Sequence, residues 1–167
     1  MNKTGKTVLL ILLVVVLVAG GVFVGMNWNS WFGEDDTPVT ADLDENAEDY
    51  TGDRDVYQGD KNTDTISIPG FDIMNLQAGV KEQSVNLYNP EQNTCYFRMT
   101  LLLEDGTELW SSDLLEPGKA IYNITLNQTL EAGEYENASI RYECFTMDGN
   151  MTQLNGADMK MTLNVLE

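Results

Sequence analysis

Histidine is absent from this 167-residue sequence, and lysine and arginine together number nine against 27 aspartates and glutamates. The first absence removes the commonest general base and the commonest metal ligand, so Ser-His and Cys-His catalysis are excluded. The second leaves a formal charge of −18. Nucleic acid is therefore not expected as a partner, because binding phosphates requires clustered Lys and Arg. Only two cysteines and four prolines occur, and two thiols without histidine make a poor zinc site. No segment carries the sustained 3.6-residue apolar period of a long amphipathic helix, and no internal repeat is visible. The length fits one domain of ordinary size with additional segments.

One long hydrophobic run is present. Residues 8–26 hold nineteen consecutive positions without a charge, about 28 Å as a helix, close to the thickness of a bilayer core. Lys3 and Lys6 precede it, and the next basic residue is Arg54. The positive-inside rule then puts the N-terminus in the cytoplasm and the remainder outside. The expectation is a single-pass signal anchor in the cell membrane with membrane lipid as a partner. Lys3 and Lys6 would sit at the inner interface, and Trp28, Trp31 and Phe32 at the outer one. A cleaved signal peptide is the competing reading, since Ala19 and Gly21 have the spacing a signal peptidase reads. Against cleavage, Val22-Phe23-Val24 continues the apolar run past the cut.

Charge divides the chain into three zones. Residues 1–26 carry +2; residues 27–64, with twelve acidic and two basic side chains, carry −10; residues 65–167, with fifteen and five, carry −10. The middle zone has scattered apolar residues without period and reads as an acidic, disordered linker that cannot bury enough surface to offset its ordering entropy. From Thr65 onward the period becomes two. Cys95, Phe97, Met99, Leu101 and Leu103 share one face, as do Ala120, Tyr122, Ile124 and Leu126, and Met159, Met161, Leu163 and Val165. Turn chemistry separates the runs: Asp105-Gly106, Pro117-Gly118, Asn89-Pro90 and Asp148-Gly149. Strands are expected at 65–68, 72–78, 84–88, 94–103, 107–111, 119–126, 134–147 and 159–166. The fold class is all-β, with an antiparallel β-sandwich over 65–167.

The cysteines have two readings. Cys95 and Cys144 either form a disulfide that closes a 49-residue loop, worth roughly 4 kcal/mol in the chain-entropy model, or pack as buried free thiols. With Trp110 between them and Tyr142 two residues before Cys144, they resemble in outline the Cys–Trp–Cys layout of the immunoglobulin-like superfamily. One departure matters: Cys95 opens its strand, whereas Cys144 lies near the end of a long one. Antiparallel neighbours would bring such positions together, and strands running the same way would separate them. The stretch Leu130-Glu131-Ala132-Gly133-Glu134-Tyr135 is similar to the Leu-x-x-Gly-x-Tyr entry into a late strand of bacterial immunoglobulin-like domains. That resemblance implies a tyrosine corner at Leu130, Gly133 and Tyr135, with the hydroxyl bonded back to the corner; a surface tyrosine beside a turn is the alternative. Anchor, acidic linker and β-rich head together resemble small surface-displayed, membrane-anchored proteins of Gram-positive bacteria, which implies an immunoglobulin-like head.

Chemistry-bearing clusters are weak. Glu104, Asp105 and Glu108, and Glu131, Glu134 and Glu136, are grouped as a glycosidase pair would be, but in predicted turns where solvation keeps carboxylates ordinary. Asp42–Asn46 and Asp60–Asp64 begin like calcium loops but have Ala47 and Thr65 where the turn needs glycine. Asn123, Asn127, Asn137 and Asn150 each open a glycosylation acceptor triplet. No enzyme activity, cofactor or metal is expected. The function expected is a tethered extracytoplasmic binding or assembly module that acts by protein–protein or protein–glycan contact, with 84–88 and the last strand as docking edges. The alternatives are a secreted hydrolase or enzyme inhibitor released by signal cleavage, and an accessory subunit of a cell-envelope secretion or conjugation machine.

Overall fold

The computed structural model describes residues 40–52, 60–61 and 64–167. The expected membrane segment at 8–26 and the expected interface residues Lys3, Lys6, Trp28, Trp31 and Phe32 lie outside the described residues, as do 27–39, 53–59 and 62–63 of the expected linker. The described part is all-β and contains no helix. Its strands are β1 (Glu48–Asp49), β2 (Ile73–Gln77), β3 (Glu82–Tyr88), β4 (Cys95–Leu102), β5 (Glu108–Ser111), β6 (Lys119–Thr125), β7 (Gly133–Thr146) and β8 (Ala157–Leu166). They form a three-stranded sheet in the order β1-β6-β3 and a five-stranded sheet in the order β2-β8-β7-β4-β5. Inner-face residues at alternate positions make one core: Cys95, Phe97, Met99 and Leu101 of β4, Ile140, Tyr142 and Cys144 of β7, and Met161, Leu163 and Val165 of β8 meet Leu87, Ile121 and Ile124 of the smaller sheet.

Several expectations are corrected. The β2–β8 pair is parallel, not antiparallel. These strands are far apart in sequence, so no hairpin dictates their relative direction. Residues 65–68 form no strand. The Asn93 side chain satisfies their backbone instead, its Oδ1 accepting from the Ser67 N–H at 2.8 Å and its Nδ2 donating to the Ser67 carbonyl at 2.9 Å. The last strand is no edge, being flanked by both β2 and β7. The run 84–88, by contrast, does lie on the edge strand of the smaller sheet; just before it, buried Gln83 accepts from the Gln77 N–H at 2.8 Å and donates to the Gln77 and Val80 carbonyls at 2.9 Å, so one side-chain amide ties β2 to β3. On β6, Ile121 is buried while Tyr122 is half-exposed. Strict alternation fails there opposite the register shift of β3 between Ser84 and Leu87.

Residues 40–52 belong to the fold and not to a linker. Leu43 pairs with Leu114 in a parallel bridge, Asp44 N–H donates to the Leu114 carbonyl at 2.9 Å, and Leu114 N–H donates to the Asp42 carbonyl at 3.0 Å. The Asp44 carboxylate accepts from the N–H groups of Asn46 and Asp113. Further along, Glu48 and Asp49 pair with Ala120 and Lys119 of β6, Asp49 meets Lys119 Nζ at 2.7 Å, and the Tyr50 ring stacks on Tyr88 at 4.4 Å. The segment is a strap from the stretch after β5 to the edge of β6. It was invisible to periodicity because edge pairing asks only for backbone groups and a few local contacts.

A pair of buried asparagines joins these parts. Asn89, 0 % exposed at the end of β3, donates from Nδ2 to the carbonyls of Cys95 and Leu115, each at 2.9 Å. Its Oδ1 accepts from Asn93 Nδ2 at 2.9 Å. Its backbone N–H donates to the Lys119 carbonyl, and its own carbonyl accepts from Gly118 N–H. One residue thus binds the start of β4, the crossing at Leu115 and the start of β6. Removing such a group strands polar partners in the interior. Asn89→Ala should therefore cost about 2–4 kcal/mol, read from the urea midpoint of the full chain in detergent. Asn89→Asp, near-isosteric but lacking the two Nδ2 donors, should cost at least as much; a loss below about 0.5 kcal/mol would show that the donors carry no weight.

Candidate functional site

The central strands of the five-stranded sheet have two faces. Because side chains alternate, the residues between the core positions of β4, β7 and β8 point away from the core. Register then assembles them into an outer patch: Tyr96 lies opposite Phe145, Arg98 opposite Glu143, and Arg141 opposite Asp158. The Arg98 guanidinium carbon sits 5.4 Å from the Phe145 ring centroid, within the range of a cation–π contact. Arg141 Nε donates to Asp158 Oδ1 at 3.0 Å, and Nη2 to Oδ2 at 3.3 Å, a two-pronged exposed pair. The Asp158 carboxylate beside it raises the pKa of Arg141. Towards β2, Asn164 donates to Asn75 Oδ1 at 2.9 Å. Lys160 adds a third cation to this face, so three of the five basic residues of 65–167 lie on it. Aromatic rings half in water, an arginine held over one of them and a fixed ion pair are the components from which recognition surfaces are built.

On the inner face of the same ladder, Cys95 lies opposite Thr146 and Cys144 opposite Phe97. The cysteines are diagonal neighbours on adjacent antiparallel strands, 2 % and 0 % exposed, and both are free thiols. An interaction with Cys144 lowers the pKa of Cys95; the same interaction, reinforced by burial, pushes Cys144 up. This arrangement departs from the Cys–Trp–Cys layout, in which the cysteines belong to facing sheets. Trp110 is half-buried on β5, the outermost strand of the five-stranded sheet.

Beside the thiols stands Tyr142, 1 % exposed, with its ring edge-on to Phe97 at 5.3 Å. Its hydroxyl is buried and has no hydrogen-bond partner. Burial, and secondarily the nearby Tyr88, raises its pKa, so the phenol stays protonated.

The other expected site residues are placed as follows. Tyr135 Oη donates to the Glu131 carbonyl at 3.1 Å, Leu130 is buried, and Gly133 opens β7. The two glutamate-rich clusters are exposed in or beside turns. Asp105 accepts from Thr107 N–H, which lowers its pKa, the direction opposite to that needed by a general acid. Asp44, expected at the head of a failed calcium loop, has both carboxylate oxygens committed to backbone N–H groups. Among the described residues no group of three or more metal-ligating side chains converges. Asn123, Asn127, Asn137 and Asn150 are all exposed.

Compared with protein-family models, with curated proteins and with solved structures, the chain matches none. The outer patch was missed by sequence reasoning, although its signal is present. Tyr96 and Arg98 occupy the positions skipped by the apolar alternation of β4, but only the register with β7 sets Phe145 and Glu143 beside them.

The orphan hydroxyl yields a signed prediction. A buried, unpaired hydroxyl costs about 1–3 kcal/mol, so Tyr142→Phe should raise the unfolding free energy by about 1 kcal/mol. A comparable loss measured by urea titration would show that the hydroxyl is paired, for instance with a buried water.

Proposed function

We propose that the chain is a single-pass, membrane-tethered module that displays an immunoglobulin-like sandwich outside the cell and binds a protein partner through the outer face of its five-stranded sheet. The observation that carries this reading is the patch of Tyr96, Arg98, Glu143 and Phe145, in which half-buried aromatic and charged groups lie opposite one another across the β4–β7 ladder with Arg98 over the Phe145 ring. Tyr and Arg are over-represented among residues that dominate interface energies, and side chains held by cross-strand neighbours lose little entropy on docking. The apolar run at 8–26 and the two lysines before it support tethering and the orientation. In such a layout the strap at 40–52 would be the first folded element beyond the acidic linker.

A photo-crosslinking residue at Lys160, on the rim of the patch, tests this reading in intact cells. A discrete protein adduct is expected, accessible to added protease without lysis. The Tyr96→Ser/Phe145→Ser double variant should reduce its yield at least tenfold (about 1.4 kcal/mol) while the head keeps its fold by circular dichroism. Adducts unchanged by the double variant, an adduct with glycan in place of protein, or adducts protected from protease until lysis would contradict it.

A further inference from the structure

The two cysteines of this chain sit on neighbouring strands, and the ladder between them is antiparallel. Their positions are two residues out of direct opposition: Cys95 faces Thr146 and Cys144 faces Phe97, so the line between the two thiols runs along a diagonal of the β4–β7 pair. In a flat ladder a diagonal is long for a disulfide, but the right-handed twist of real sheets shortens one of the two diagonals at each site. Both side chains project into the core on the same face of the ladder. Cys95 is also the first residue of β4. Its backbone is paired in the ladder on one side only, and its carbonyl is held by Asn89, so the small shift that a bond requires falls on the side-chain torsions and the loop before it. The loop before it is short and runs directly from Asn93, so the shift need not disturb the rest of β4.

We propose that Cys95 and Cys144 are joined by an intramolecular disulfide in the mature protein, formed as the chain folds outside the membrane; this rests on the export reading above. Timing follows from burial. At 2 % and 0 % exposure neither thiol can be reached by an oxidant in the folded head, so the bond must form before the core closes. The oxidant is a disulfide-bearing compound or exchange protein. One cysteine thiolate attacks a sulfur of that disulfide, which gives a mixed disulfide and releases one thiol. The second cysteine thiolate attacks the cysteine sulfur of the mixed disulfide, closing the bridge and releasing the other thiol. Two cysteine protons are lost to the two released thiols, the protein is oxidised by two electrons and the oxidant is reduced by two. Once closed, the bridge pins the start of β4 to β7. The Cys95 carbonyl is one of the two held by Asn89, so the crosslink would restrain the buried asparagine pair as well.

The test uses the full chain in detergent, denatured and reduced, then refolded in a mixture of oxidised and reduced glutathione. The expected product has no alkylatable thiol after denaturation, is lighter than the reduced chain by two hydrogen atoms, and yields a Cys95–Cys144 linked peptide on digestion. Its thermal midpoint should exceed that of the reduced chain by about 10 °C. Cys95→Ser should instead retain one thiol or a glutathione adduct. A refolded chain with both thiols still alkylatable, or linked between copies, would overturn the bridge itself. Thiol trapping in intact cells separates the premise: a chain that bridges in glutathione but carries free thiols in the cell would refute the export reading, and with it the bridge in the mature protein.

Discussion

A single side-chain amide governs where the two sheets stand. Asn89 directly follows β3, a strand of the smaller sheet, yet its Nδ2 is committed to the start of β4 in the larger sheet and to Leu115 on the crossing between them. Its backbone simultaneously closes on Lys119 and Gly118 at the start of β6. Apolar burial drives the sheets together but has no direction. A fully satisfied polar group in the interior tolerates one arrangement, because any displacement leaves donors and acceptors unpaired at low dielectric. The core supplies the attraction, and the asparagine pair supplies the alignment.

Everything of functional interest follows from that alignment through one ladder. With β4 fixed against β7, the inner face brings Cys95 towards Cys144 and sets Phe97 against Tyr142. The same register puts Tyr96 beside Phe145 and Arg98 beside Glu143 on the outside. A slip of one residue would exchange the two sets, burying arginines and exposing the core. The thiol pair and the outer patch are two consequences of one register. The strap acts at another corner. By pairing with Leu114 and then with Ala120, residues 40–52 cover backbone next to both β5 and β6 that would otherwise invite edge pairing.

The all-β class and seven of the eight expected strands were legible from alternation and turn residues, since β2 to β8 match runs of period two bounded by Gly, Pro and Asn. What escaped has a common cause. Residues 65–68 look like a strand, but their partner is a side chain, Asn93, which no strand pattern announces. Glu48–Asp49 is a strand with no apolar residue, formed because β6 offers an edge. The parallel pairing of β2 and the central position of β8 depend on long-range topology. The cysteine pair was half legible: antiparallel neighbours were required to bring the two residues together, and β4 and β7 are such neighbours. Asn89 itself read only as a turn residue before proline, because burial of a polar side chain is a property of the folded chain and leaves no mark in a pattern of apolar residues.

Native-state hydrogen exchange of the full chain in detergent tests most directly whether the two sheets form one cooperative unit around this amide. The N–H groups of Asn89, Leu115 and Gly118, which bond to Lys119, Phe97 and Asn89 respectively, should exchange only through global opening, with the same free energy as the central amides of β4 and β7. If Leu115 and Gly118 exchange through a cheaper opening while β4, β7 and β8 stay protected, the sheets separate independently and the amide does not hold them.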